Sequence, residues 1–98
     1  MGFVQIIKLR SDRFDELEAA HDEWRAATEG QRTVVREMLC QDRDEPGSYW
    51  MIVEFPDEAA AARNNDLEAT GRIAAKLAEL ATDGPEFVNL DLLRVDEG

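Results

Sequence analysis

A chain of 98 residues has room for one domain, and 44% hydrophobic with 34% charged residues describes a globular protein with a modest core. The formal net charge of -11, from 22 acidic and 11 basic residues, repels phosphate backbones and anionic headgroups, which argues against nucleic-acid and membrane binding. Cys40 is the single cysteine, so no internal disulfide can form, and the apolar run in "MGFVQIIKLR" is too short for a signal peptide. These features predict a cytoplasmic protein.

Residues 3–10, "FVQIIKLR", are β-branched and apolar with no breaker and predict a strand. Ser11 and Asp12 offer N-cap chemistry, and Asp15 and Glu16 place negative charge where a helix N-terminus favours it. A helix over residues 12–28 follows, with Gly30 as its terminator. Residues 32–42 and 48–55, "SYWMIVEF", predict two strands joined through Pro46-Gly47, in type II turn order, as an antiparallel hairpin. "DEAAAAR" begins a second helical stretch, and "NND" at 64–66 interrupts it. Asn65 and Glu68 have capping-box spacing, so a helix restarts there and runs to about residue 81 on the stripe Leu67, Ile73, Leu77 and Leu80. Residues 86–95 predict the last strand.

The order β-α-β-β-α-β predicts an α+β, ferredoxin-like single domain over residues 1–98: a four-stranded antiparallel sheet with helices on one face. The strand at 48–55 is apolar in both phases, and the strand at 3–10 has Phe3, Ile7 and Leu9 in one phase and Val4 and Ile6 in the other. A sheet with two apolar faces and helices for one of them needs a second cover. The prediction is a homodimer with sheets packed face to face.

The length, the element order, the two apolar faces and the stretch "YWMIVEFPDEAAAARNNDLEATGRIAAKLAEL" resemble the antibiotic biosynthesis monooxygenase-like domain of the dimeric α+β barrel superfamily. The resemblance implies an obligate dimer with a pocket in each subunit between helices and sheet. Some members oxidise aromatic polyketides with oxygen and no cofactor, others bind or degrade haem. The haem-degrading members use an asparagine on the first strand, a tryptophan ending the third and a histidine on the second helix. Here those positions fall on Gln5, Glu54 and the neighbourhood of Arg72, so the axial ligand is missing and haem degradation is not implied. No cofactor and no metal are expected.

Phe14, Leu17, His21, Trp24 and Thr28 are spaced 3, 4, 3 and 4, one face of a helix, and Phe14 with Leu17 turns that face to the sheet. His21, the only histidine, is therefore the candidate general base, since imidazole exchanges protons near neutral pH; Trp24 would stack on an aromatic ligand. The alternative is a satisfied core histidine beside a space-filling tryptophan. Trp50, Ile52 and Glu54 share one phase of their strand. Facing the helices, Trp50 and Glu54 would join His21, Trp24 and Thr28 around the pocket, with Arg25 or Arg72 pairing Glu54. In the opposite register Tyr49 lines the pocket and Trp50 lies at the dimer interface.

"NND" reads as a helix break with a cap, or else as a polar pocket rim. Arg32 and Arg36 read as solvated surface residues, or else as groups that steer an anionic ligand, and Cys40 as inert. There is no cysteine–histidine cluster, P-loop, dinucleotide fingerprint or nucleophile elbow. Three functions remain: a cofactor-independent monooxygenase-like enzyme for a small aromatic or polyketide-like metabolite, a non-catalytic small-molecule binder, or a dimer whose own side chains fill its interior. A cavity too small for one aromatic ring would favour the third.

Overall fold

The computed structural model describes residues 2–98. The elements are β1 (Gly2–Arg10), α1 (Phe14–Ala27), β2 (Arg36–Gln41), β3 (Ser48–Phe55), α2 (Glu58–Asn65), α3 (Glu68–Leu80) and β4 (Asp83–Leu92). The four strands form one antiparallel sheet in the order β2-β3-β1-β4, and the helices lie on one of its faces. This is the ferredoxin-like α+β arrangement, with the second helical stretch divided in two.

The ends of the elements show where local chemistry is spent differently from the sequence prediction. Ser11 does not cap α1: its buried hydroxyl donates to the Leu80 carbonyl at 2.8 Å, tying the end of α3 to the start of α1, while accepting from the Arg13 N–H at 3.0 Å. The Asn65–Glu68 capping box does not form, because α2 continues through Asn65 and the chain turns at Asp66, with extended Leu67 preceding α3. Asp57 does cap α2, accepting from the Ala60 N–H at 2.7 Å. Residues 32–35 are not strand: the Thr33 hydroxyl donates to the Ala60 carbonyl at 2.6 Å and Val34 packs beside Phe55, so this segment is anchored to α2. After Pro46, Gly47 turns the hairpin at φ +91, a left-handed conformation that glycine adopts without strain.

Strand registers fix which side chains share a face. Helix-side rows run Leu39–Met51–Ile7–Phe87 and Glu37–Val53–Gln5–Asn89 across all four strands. On the outer side the rows are Met38–Ile52–Ile6–Val88, Arg36–Glu54–Val4–Leu90 and Cys40–Trp50–Lys8–Glu86. The helix-side core is in two pieces. Leu9, Leu17, Tyr49, Leu77 and Leu80 close one end, with Phe14 stacked 4.9 Å from Tyr49; Phe55, Ala60 and Ala61 close the other, with Phe3 and Val34. The helices stand off the middle of the sheet, and a cavity lies between the two clusters.

Gly71 of α3 borders that cavity, and a methyl group there would meet nothing within 4 Å. Glycine in a helix costs roughly 0.5–1 kcal/mol relative to alanine. Gly71→Ala is therefore expected to raise the thermal midpoint by roughly 4 °C, read by calorimetry. A fall would show that the cavity wall does not tolerate even a methyl group.

Candidate functional site

The cavity has a volume of about 320 Å³, at the lower end of the range that small-molecule sites occupy. Its floor is the apolar part of the sheet, Ile7, Met51, Val53, Phe55 and Phe87; Leu17, His21 and Trp24 of α1 form one wall, and Thr70, Ile73, Ala74 and Leu77 of α3 the other. Asn64 and Asn65 close the end where α2 breaks. No lysine or arginine lines it.

Besides Gln5 and Asn65, polar groups in this apolar shell come in three places. His21 Nε2 lies 3.3 Å from Glu37 Oε1, and Arg25 donates to the same carboxylate oxygen at 2.7 Å. Burial pushes the Glu37 carboxyl up, and the hydrogen bonds and charges of His21 and Arg25 more than offset it, holding Glu37 below the usual glutamate range. The nearness of an ionised Glu37 to Nε2 favours the tautomer protonated there, with Nδ1 as the basic nitrogen. Trp24 donates its indole N–H to Thr70 Oγ1 at 3.0 Å, and the His21 and Trp24 rings lie 5.8 Å apart. Asn64 is buried, and its Oδ1 makes no hydrogen bond within the protein. A buried acceptor without a donor costs stability unless a ligand supplies one.

Because the folded-state value of Glu37 is depressed, its contribution to stability is complete above the unfolded value near 4.5 and is lost as pH falls through the folded value. Glu37→Gln is expected to cost about 1 kcal/mol at neutral pH. The gap from the parent should shrink as pH drops below about 4.5, measured by denaturant unfolding across that range. A gap that does not change with pH would remove the role of the ionised carboxylate.

His21 and Trp24 thus stand together on the cavity wall. The others do not join them. Trp50 and Glu54 lie on the outer face of β3, so the first of the two facings weighed from the sequence does not hold; Tyr49, Met51, Val53 and Phe55 face the helices instead. The reason is charge. The inward phase of β3 carries none, whereas outside Glu54 accepts from Arg36 Nε at 3.1 Å and the Lys8 ammonium sits 4.8 Å from the Trp50 ring centroid. Thr28 is fully buried, but its hydroxyl donates to the Trp24 carbonyl at 2.7 Å and so completes the end of α1. Arg25 reaches the site only through Glu37, and Arg72 pairs with Glu68 at 3.2 Å beside a separate recess between α1 and α3.

Sequence reasoning missed Glu37, and reached Asn64 only through the second reading of "NND", as a polar pocket rim. Glu37 had a signal: it falls in phase with Leu39, an acidic residue at an inward position of its strand. For Asn64 the composition of "NND" fits an ordinary break and a polar rim equally well.

Among the described residues, no group of three His, Cys, Asp or Glu side chains is gathered to hold a metal ion, and no helix is long and apolar enough to cross a membrane. No family model matches the chain, and comparison with curated proteins gave no match. Solved structures do match over nearly its whole length. SnoaB from Streptomyces nogalater, a cofactor-independent oxygenase, is 21% identical with a TM-score of 0.78, covering 96% of this chain and 95% of that one. Rv0793 from Mycobacterium tuberculosis is 16% identical with a TM-score of 0.82, covering 99% and 100%. An antibiotic biosynthesis monooxygenase is 20% identical with a TM-score of 0.76, covering 96% and 100%. The strand order and these likenesses agree on the fold: the chain has the ferredoxin-like fold of the antibiotic biosynthesis monooxygenase-type structures it matches.

Proposed function

We propose that the protein is a homodimeric, cofactor-independent monooxygenase-like enzyme acting on a small, neutral, hydroxylated aromatic compound. The observation that carries this is the His21–Glu37 contact, set in the wall of a largely apolar cavity large enough for aromatic rings. Glu37 keeps Nε2 protonated, and His21 Nδ1 takes the phenolic proton of the bound ring. The phenolate so formed is electron-rich at the carbon para to its oxygen. That carbon transfers an electron to O2, and the radical pair joins as a C–O bond. The peroxide oxygen takes back the proton held by His21, and the hydroperoxide then loses water, together with the hydrogen of the para carbon, to leave a quinone. One O2 is consumed, one of its oxygen atoms stays on the ring, and the other leaves as water.

Apolar walls keep bulk water from protonating the phenolate. The absence of lysine and arginine from the lining selects against carboxylates and phosphates. Asn64 Oδ1 is an acceptor for a second hydroxyl of the substrate. The resemblance to SnoaB, named as a cofactor-independent oxygenase, supports the same reading.

The decisive experiment is oxygen uptake by the purified, chelator-treated protein with a panel of hydroxyarenes, product being followed with 18O2. One O2 per substrate and one labelled atom in the quinone are expected. Saturable binding without oxygen uptake would replace the enzyme with a ligand-binding protein of the same pocket.

A further inference from the structure

Trp24 borders two spaces. On one side is the cavity of the proposed reaction; on the other is a recess of about 280 Å³ between α1 and α3. Among the described residues, Trp24 and Ile73 alone line both. The recess exists because alanine faces alanine there: Ala20 and Ala27 on α1 stand across from Ala69 on α3, with Glu23, Arg72 and Lys76 around them. Two helices that meet through alanines leave room for a group larger than either side chain supplies.

The indole is fixed in position. Its N–H is held by Thr70 Oγ1 at 3.0 Å, the Arg32 guanidinium carbon lies 5.7 Å from its ring centroid, and Arg32 itself donates to Thr28 Oγ1 at 3.3 Å and to the Arg25 carbonyl. A ring held at its edge, and packed on by a cation, is a rigid wall.

We propose that Trp24 is a specificity-determining partition: it sets the greatest length of ligand by closing the cavity off from the α1–α3 recess. Removing the indole joins the two spaces and nearly doubles the room available along that direction. Which ligand enters follows from the function proposed above; the partition itself is a property of the packing.

The test is a series of rod-shaped phenols, namely phenol, 4-phenylphenol and 4-hydroxy-p-terphenyl, titrated calorimetrically into the parent, Trp24→Ala and Trp24→Phe. The parent is expected to bind 4-phenylphenol and to reject the terphenyl. Trp24→Ala should gain at least tenfold for the terphenyl over the parent. Trp24→Phe keeps a ring but loses the bond to Thr70, and should keep the parental length limit. An unchanged limit in Trp24→Ala overturns the partition, as does an equal gain in Trp24→Phe. If Trp24→Ala does not fold, Trp24→Leu carries the same comparison.

If the parent binds none of the three phenols, the proposed substrate class falls, and the partition is then judged without a ligand. Crystals of the alanine or leucine variant under xenon pressure should show one continuous void from Met51 to Ala69. Collapse of Ile73 and Arg32 into the vacated space would overturn it.

Discussion

His21→Ala is expected to lower turnover of a hydroxyarene by about two orders of magnitude or more, the usual contribution of a positioned general base, while binding changes only a few-fold. The split follows from geometry. The apolar lining residues Ile7, Met51, Val53, Phe55 and Phe87 are left in place by the substitution, and of the aromatic wall only the packing of Trp24 against the imidazole changes. What is lost is the nitrogen that accepts the phenolic proton. Glu37 remains ionised and held by Arg25 at 2.7 Å, but its carboxylate is committed to that guanidinium and replaces the imidazole poorly. Glu37→Gln should fall between parent and His21→Ala, because it leaves the imidazole in place and removes only the group that orients it. Steady-state oxygen uptake over a range of pH checks both. In His21→Ala a substrate already ionised by raising the pH should recover part of the rate. A variant retaining full activity with an unchanged pH profile would exclude proton transfer at His21 and leave the cavity as a binding site.

The parts of this site that local periodicity reveals differ from the parts that tertiary packing decides. α1 was legible because its inward residues recur at helical spacing among strongly polar neighbours, so Leu17, His21 and Trp24 have only one consistent direction. β3 was not, because Tyr49, Met51, Val53 and Phe55 alternate with Trp50 and Ile52, and hydrophobicity in both phases carries no sign. The tie is broken by Glu54, whose register partners on the outer face are Arg36 and Val4. That information sits on other strands. The contact of His21 with Glu37 likewise joins α1 to β2, and no spacing along the chain announces it. Asn64 turns inward only because α2 runs two residues further than "NND" suggests. The second cover for the sheet, by contrast, was inferred from composition alone: an outer face carrying Val4, Ile6, Ile52, Val88 and Leu90 has no helix over it.

That outer face gives the second large effect: Ile52→Lys is expected to abolish the proposed dimer. Met38, Ile52, Ile6 and Val88 form one apolar row across all four strands, and in the single chain Met38 and Val88 are 48% and 39% exposed. The charged pairs lie in the rows on either side, Arg36 with Glu54 and Lys8 with Glu86, where a face-to-face partner leaves them at the rim. A two-fold interface repeats every substitution, so each dimer receives two buried ammonium groups with no carboxylate opposite them in the central row. An unpaired buried charge costs about 3–5 kcal/mol, which for one site alone loosens association roughly a thousandfold. Light scattering coupled to size exclusion should show the parent as a dimer at micromolar concentration and Ile52→Lys as a monomer, with Ile52→Leu still dimeric. The parent's thermal midpoint should rise with protein concentration, since association stabilises only the folded chain, and that dependence should be absent from the lysine variant. If Ile52→Lys fails to fold instead, the concentration dependence of the parent still decides the matter, because a monomer has none. A parent protein that remains monomeric, with a midpoint independent of concentration, would mean that the apolar row faces water, and the pairing of sheets would have to be abandoned.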